Sequence, residues 1–269
     1  MKHEIRYGKA AIRAYRAYGG DGPPLFGTEI TVEVFGDTFL AAYTVGDNRN
    51  VVATDTMKNF VYVALRDFRE ADHEAWCEFV GRRFLETYPD MDWLRITERD
   101  LPFEAHSDKL LSGPGQGPYG TVEMEIGRDG VRSRRSGLRD QHLVKLTGSA
   151  FAAFHRDEFT TLPERPDRPL YIYLDTWWRY NDPARHVTPA AIGESLRGTF
   201  DSFVSMSIQH LLNEMGTRLL ADHPQLDEVT FEAQNRLWDT SATLEEEPRL
   251  RVYSDPKPAH GLIGLTLRR

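Results

Sequence analysis

The chain has 269 residues, which is enough for one large domain or for two units of roughly 130 residues. With 40% hydrophobic and 28% charged residues, its composition is ordinary for a globular protein. The formal net charge of −8 argues against broad nucleic-acid binding, which needs a basic face, although one arginine can still hold a small anion. The single cysteine, Cys77, excludes an internal disulfide, and its apolar neighbours predict a buried thiol in a reducing compartment.

The sequence carries no recognisable signal for a membrane or an organelle. Its start, MKHEIRYGK, lacks the apolar stretch of a signal peptide, and nowhere do about 18 apolar residues follow one another. Its end, LTLRR, does not match the peroxisomal pattern. We therefore expect a cytoplasmic protein without a membrane partner.

The first half predicts strands around two helices. KAAIRAYRAYGG resembles a strand, DGPP a linker, and EITVEVFG alternates so that Ile30, Val32 and Val34 share one face. We interpret TFLAAYTVGDN as the hairpin partner of that strand. DWLRITERDLPF and YGTVEMEIG, separated by a flexible SGPGQGP segment, predict two further strands.

Two helices are expected between these strands. The segment VVATDTMKN leads into the first, and its Thr54, Asp55 and Thr56 side chains are all of the kind that caps a helix. The second, EADHEAWCEFVGRRFLETYP, repeats large apolar residues at every fourth position from Trp76 to Tyr88, which predicts one buried stripe.

The second half repeats this order. HLVKLTGSAFAAF and RPLYIYLDTWWRY predict strands, helices follow from about Thr188 to Leu220, and DEVTFEAQNRLW and GLIGLTLRR predict the closing strands. We interpret the acidic stretch TLEEEPRLR at 243–251 as a solvated loop. The repetition predicts an α+β fold of two ββααββ units, residues 1–137 and 138–269, with antiparallel sheets covered by helices on one face. Open sheet edges favour a closed oligomeric barrel.

No pattern for a metal or phosphate site is present. The nine histidines form no H-x-H or H-x-x-x-H pair, and GPGQGPYG lacks the lysine and hydroxyl of a phosphate-binding loop. No serine lies in a G-x-S-x-G elbow. The sequence patterns therefore predict no metal site, although a zinc site assembled from distant single histidines stays open.

Single residues in seven short motifs remain as candidates for a functional site. Taken alone, each has a purely structural interpretation: Lys9 as a solvated charge, Phe151 as core, Arg168 as the ion-pair partner of Asp167 or Glu164. Taken together, the motifs resemble urate oxidase (uricase) in its bacillus-like bacterial branch. They are YGK at 7–9, GDN at 46–48, VATDTMKN at 52–59, FHRDEFTTL at 154–162, RPL at 168–170, SIQHLL at 207–212 and QN at 234–235. They span nearly the whole chain in the order and at the separations of that family.

The resemblance implies a substrate site for urate in the second half. By resemblance, Arg168 and Gln209 clamp the purine, Phe151 stacks against its ring, and Leu162 and Ile208 contact it. A planar guanidinium suits a carbonyl beside a deprotonated nitrogen, and a glutamine amide offers a donor and an acceptor to the opposite edge.

The resemblance also implies the catalytic groups. Lys9 and Thr54 match the pair that handles protons, Asp55 matches a main-chain contact to the purine, and Asn235 matches the group that orients water or dioxygen above the ring. Thr56 is left as the expected helix cap. The family further implies the tunnelling fold, a homotetramer with sites shared between two subunits, and cofactor-free oxidation of urate by dioxygen.

One departure concerns Leu237. Many members of the family have a histidine two residues after the site asparagine, and bacillus-like members have threonine, whereas leucine cannot pass a proton. Two alternatives therefore stay open: a purine-binding tunnelling-fold protein with weak or no turnover, and a tunnelling-fold enzyme acting on pterins or GTP. The latter typically uses zinc ligands, for which this sequence has no recognisable spacing.

Overall fold

The computed structural model describes residues 3–18, 25–107, 109–182 and 185–269, and within the last range it leaves out the side chains of 248 and 249. The DGPP segment at 21–24, expected to be a linker, lies outside the described residues. The chain divides into two compact units, Met1–Ser136 and Gly137–Arg269. Within the described ranges, no helix has both the length and the apolar character that a membrane crossing requires.

The first unit is an antiparallel sheet with helices packed against it. In this unit the strands follow the order β1-β2-β3-β6-β7, and β4 and β5 form a separate small hairpin. In chain order its elements are β1 (Arg6–Arg16), β2 (Phe26–Phe35), α1 (Leu40–Thr44), α2 (Thr54–Asp67), α3 (His73–Thr87), β3 (Trp93–Asp100), β4 (Glu104–Ala105), β5 (Leu111–Ser112) and β6 (Tyr119–Gly127). The first part of β7, a strand that spans Gly130–Lys145, also belongs to this unit.

The core of this unit follows the predicted periodicities. Ile30 and Val34 on β2 are fully buried, and α3 buries Trp76, Val80 and Phe84 against the sheet, as the alternation and the helical stripe predict. Cys77 is likewise a buried free thiol. Its burial raises the pKa of the thiol well above its ordinary value.

The hairpin predicted for TFLAAYTVGDN is wrong. Both edges of β2 are already paired, with β1 and with β3, so no edge of β2 is left for this segment. Leu40–Thr44 instead form the short helix α1, and Phe39 just before it is buried edge-to-face against Tyr7, with 4.8 Å between ring centroids. Phe39 thus packs into the core of the unit, whereas no residue of α1 itself is buried.

The cap predicted for α2 is also wrong. The helix already begins at Thr54, its N-cap position is Ala53, and no side chain caps it. Thr54, Asp55 and Thr56 all lie in the first turn, where the Asp55 carboxylate hydrogen-bonds Lys58 and Asn59. A negative charge there is stabilised by the positive end of the helix dipole.

The second unit has the strand order β7-β8-β9-β12, and a separate hairpin of β10 and β11. The helices α4 and α5 bury their apolar faces in a second core. Its elements are the second part of β7, β8 (Leu170–Tyr180), α4 (Pro189–Ser202), α5 (Ile208–Asp222), β9 (Leu226–Asn235), β10 (Asp239–Leu244), β11 (Glu247–Ser254) and β12 (Gly261–Arg268).

Two predictions fail in this unit. β7 starts earlier than HLVKLTGSAFAAF and ends at Lys145, and the chain then turns through Gly148, whose positive φ of 79° is not a strand conformation. The stretch 243–251, expected to be a loop, contributes to the β10–β11 hairpin, in which Thr243 lies opposite Arg251. Its strands are exposed, so their pairing has no hydrophobic signature.

Candidate active site

A cavity of about 240 Å³ in the second unit collects the second-half residues that the motifs single out. Its lining comes from the loop after β7, the start of α5, the end of β9 and the start of β12. The lining residues are Phe151, Leu162, Arg168, Ile208, Gln209, Asn235, Leu237, Gly261, Leu262 and Ile263. Phe151 and Ile208, which are 57 positions apart in sequence (208 − 151), thus share one concave surface.

The last three lining residues were missed by sequence reasoning. β12 pairs with β9 in a register that puts Gly261 opposite Asn235 and Ile263 opposite Ala233. Strand pairing therefore brings the start of β12 beside the QN motif. No local motif marks GLIG as part of a site, and the register of the two closing strands would have been the only usable signal.

Arg168 is a partly buried cation at this cavity. Its guanidinium carbon lies 5.3 Å from the centre of the Phe151 ring, and burial lowers its pKa. Its Nε is buried without a hydrogen-bond partner within the described part of the chain. Neither expected carboxylate pairs with it, since Asp167 binds Thr147 and Gly148 and Glu164 accepts from the Ala153 N–H at 3.2 Å. The guanidinium is therefore available to an anionic ligand.

Phe151 is held by its backbone and by a neighbouring ring. Its N–H and carbonyl exchange two hydrogen bonds with Arg165, both at 2.8 Å. Its ring stacks on Phe154 at 4.9 Å and 13°. The ring that faces the cavity thus has a fixed orientation, which suits stacking with a flat ligand.

The first turn of α5 forms another part of the lining. Ser207 caps this helix by accepting a hydrogen bond from the His210 N–H at 3.1 Å. Ile208 is buried under the cavity, whereas the Gln209 side chain is exposed. A helix N-terminus carries partial positive charge, so this wall favours an anion as the arginine does.

Asn235 closes the cavity at the end of β9. Its Oδ1 is buried and accepts no hydrogen bond within the described residues, so it is open to a ligand or water. Leu237 beside it is apolar and packs partly against the core. Arg236 does not line the cavity: its Nε donates to Gln234 Oε1 at 2.9 Å, and its guanidinium lies over the Tyr173 ring.

Lys9, Thr54 and Asp55 belong to the first unit. Lys9 lies on β1 opposite Val32, just before an irregularity at which Ala11 takes a φ of 54°. The pKa of Asp55 is lowered chiefly by its hydrogen bond with Lys58, and the charge of Lys9 acts in the same direction, so Lys9 lies near the first turn of α2. Thr54 begins that turn.

Two further observations bear on the kind of ligand. Among the described residues, no group of three or more His, Cys, Asp or Glu side chains is placed to hold a metal ion. A larger cavity of about 450 Å³ in the second unit is lined by Asp140, Asp175 and Glu232. One of these carboxylates, Asp175, pairs with Arg139, but the lining residues include no lysine or arginine, so the smaller cavity with Arg168 is the better anion site.

The family model for uricase matches residues 6–122 and 134–264. The chain belongs to the uricase family. This confirms the resemblance, which rests on motifs within both matched segments.

Individual uricases agree with this assignment. A uricase of Haloferax volcanii is 35% identical, over 91% of this chain and 94% of its own length. The uric acid degradation bifunctional protein of Bacillus subtilis (strain 168) is also 35% identical, over all of this chain, which spans 62% of that relative. The chain spans 61% of the corresponding protein of Bacillus sp. (strain TB-90).

Solved uricase structures share the fold. The urate oxidase of Bacillus sp. TB-90 superimposes with a TM-score of 0.89 at 31% identity, over 98% of this chain and 99% of that one. The uricase of Bacillus fastidious superimposes with a TM-score of 0.88 at 30% identity, over 100% of this chain and 94% of that one. The antiparallel sheets with helices described above are therefore those of the urate oxidase fold.

Proposed function

We propose that the protein is a urate oxidase, which converts urate, dioxygen and water to 5-hydroxyisourate and hydrogen peroxide. The observation that carries this proposal is the Arg168 guanidinium, which is partly buried beside Phe151 and has no carboxylate partner within the described residues. An unpaired, partly desolvated cation beside an aromatic ring suits a flat organic anion. Urate is such an anion, and it is the substrate of the family.

In the proposed complex, urate lies flat against Phe151. Arg168 holds one edge through two parallel charge-assisted hydrogen bonds, and Gln209 holds the opposite edge with its amide. Leu162 and Ile208 contact the ring. The unpartnered Asn235 Oδ1 supports its role in orienting water or dioxygen above the ring, since it has a free acceptor there.

The first unit supplies the proton-handling groups in this proposal. Lys9 acts as the base once it has lost its proton, Thr54 relays the proton through its hydroxyl, and Asp55 contacts the purine through its N–H. Urate gives up two electrons to dioxygen, water adds to the oxidised ring, and dioxygen leaves as hydrogen peroxide. Neither a metal nor a flavin takes part, because the urate anion is itself the reductant.

We further propose that each half of the chain, 1–137 and 138–269, is one ββααββ tunnelling-fold unit, and that four chains close a barrel. The element order within each unit supports the first part. Lys9 and Thr54 lie in one unit and the cavity in the other, which supports a site shared between two subunits of a homotetramer. The single cysteine supports a cytoplasmic enzyme.

Turnover by purified, chelator-treated protein tests the proposal. Under air, urate absorbance should fall and one hydrogen peroxide should form for each urate consumed, whereas under nitrogen urate should bind without reacting. Binding without turnover under air would support the purine-binding alternative. A protein that neither binds urate nor turns it over would overturn the proposal.

A further inference from the structure

The two polar residues of the proposed clamp, Arg168 and Gln209, come from separate parts of the chain. Phe151 and Arg168 flank one loop, and Ile208 and Gln209 begin α5. A clamp works only if its two sides are held at a fixed separation. The hydrogen bonds that join these sides start at Asp167, the residue directly before Arg168.

Asp167 uses its carboxylate to fold the turn after β7. It accepts hydrogen bonds from Thr147 Oγ1 at 2.6 Å, from the Gly148 N–H at 2.7 Å and from the Ser149 N–H at 3.3 Å. These bonds, that of Thr147 most of all, lower the pKa of the Asp167 carboxyl. The Arg168 N–H then donates to the Ser149 carbonyl at 2.8 Å, so the turn and the arginine are tied together.

The same turn is joined to the segment before α5. The Ser149 and Ser205 hydroxyls, both buried, lie 3.1 Å apart. The Ala150 N–H donates to the Ser205 carbonyl at 2.8 Å, and the Ser205 N–H donates to the Gly148 carbonyl at 3.2 Å. Ser205 lies two residues before Ser207, the N-cap of α5. Hydrogen bonds therefore connect Asp167 with Ser205, and two residues of backbone continue from there to the start of the helix that carries Gln209.

We propose that Asp167 is a positioning residue, which fixes the separation of Arg168 and Gln209 through the turn at 147–149 and the Ser149–Ser205 pair. The inference rests on the proposed function. Because Asp167 binds these hydroxyl and N–H groups, its charge organises the site without pairing with Arg168. The cation next to it stays available to the substrate.

Three variants test the link: Asp167→Ala removes it, Asp167→Asn keeps the shape and one acceptor oxygen, and Ser205→Ala breaks the hydroxyl pair. Asp157→Asn is the matched control, because Asp157 also accepts from an N–H and a hydroxyl, of Phe159 and Thr160, but closes only a local turn. Urate binding is measured under nitrogen, kcat and KM under air, and folding by thermal melting.

We expect Asp167→Ala to raise the urate Kd and KM by about 10- to 100-fold while kcat falls far less, because the clamp is misplaced and the proton-handling groups are not. The urate Kd and KM of Asp167→Asn should lie between those of Asp167→Ala and of wild type. Ser205→Ala should shift KM in the same direction, and Asp157→Asn should leave it unchanged. A folded Asp167→Ala protein with wild-type urate affinity would overturn the proposal, and so would normal affinity in Asp167→Asn if the alanine variant does not fold.

Hydrogen exchange gives a readout that does not depend on urate. Asp167→Ala should accelerate amide exchange at residues 205–209 as well as at 147–149, because the link carries the disturbance across the cavity. Faster amide exchange at 147–149 alone would show that Asp167 has only a local role. It would contradict the proposal that Asp167 positions Gln209. Failure of wild-type protein to bind or oxidise urate would contradict the proposed function and leave this exchange result to decide the structural link.

Discussion

At the scale of single residues, Arg168 combines partial burial, a lowered pKa and the lack of a carboxylate partner in the described chain. Such a group costs folding free energy unless a ligand compensates it. Its neighbour Asp167 looks from sequence like its ion-pair partner, but that interpretation is wrong, because the carboxylate binds the turn at 147–149. Only the folded turn could show this.

Replacing Arg168 by alanine should remove about 2–5 kcal/mol of urate binding, because a two-bond charged contact is lost. The melting temperature should stay near that of wild type, since no ion pair within the described chain is broken. Urate binding under nitrogen and thermal melting measure the two effects, with Arg197→Ala on the exposed face of α4 as control. A large loss of stability with normal urate binding by the folded fraction would assign Arg168 a structural role.

Leu237 should determine how the rate depends on pH. It lines the cavity next to Asn235 and cannot carry a proton, so Leu237→His should add a titration near 6.5 and raise kcat/KM at neutral pH. The measurement is kcat/KM against pH for wild type and variant. His260→Gln is the control, because His260 lines an adjoining cavity with Asn235 and Leu237. A wild-type titration near 6.5 that Leu237→His leaves unchanged would show that another group already fills this role.

At the scale of elements, β3 ends in a partly buried carboxyl, that of Asp100, which should make stability depend on pH. Asp100 accepts a hydrogen bond from the Gly120 N–H at 2.8 Å, and burial raises its pKa from 3.8 to about 6. Because the folded-state pKa is the higher one, the stabilising effect of protonation is complete below about pH 4 and is lost as pH rises through about 6.

Asp100→Asn should therefore raise the free energy of unfolding by about 1–3 kcal/mol at pH 7 to 8 and have little effect near pH 4. The asparagine oxygen still accepts from Gly120, so the hydrogen bond is kept. Thermal melting across this pH range checks the prediction, with exposed Asp129→Asn as control. A stability difference that is the same at every pH would mean that the Asp100 carboxyl does not titrate as described.

The elements with strong periodicity could be predicted from sequence. β2 alternates buried and less buried residues, and α3 carries one apolar stripe. The sequence pattern of each element therefore predicts which of its faces is buried. α1 could not be predicted, because its short apolar run fits a strand as well as a helix, and only the pairing of β2 with β1 and β3 decides between them. The exposed β10–β11 hairpin has no buried face to produce a pattern.

The site divides in the same way. Motifs identify Phe151, Arg168 and Gln209, whereas Gly261 and Leu262 join the cavity through the pairing of β12 with β9. The link from Asp167 to Ser205 is likewise a product of tertiary structure, since its partners lie 38 positions apart on either side of α4. Motifs therefore identify some of the side chains that line the cavity, whereas strand register and tertiary hydrogen bonds determine the rest of the site.

At the scale of the whole molecule, the proposed assembly predicts complementation between inactive chains. Lys9→Ala and Arg168→Ala each remove one half of a shared site, so mixed tetramers after subunit exchange should regain about a quarter of wild-type activity. Arg168→Ala mixed with Gln209→Ala is the control, because both changes lie in the cavity of the second unit and no combination is intact. Exchanged hybrids of the first pair that stay inactive would rule out a site shared between subunits.

A crystal soaked with urate under nitrogen would show whether the second-unit cavity holds urate. We expect planar density over Phe151, with one edge within hydrogen-bonding distance of the Arg168 guanidinium and the other near Gln209. Urate bound elsewhere, or an empty cavity in a protein that still oxidises urate, would show that this cavity is not the substrate site.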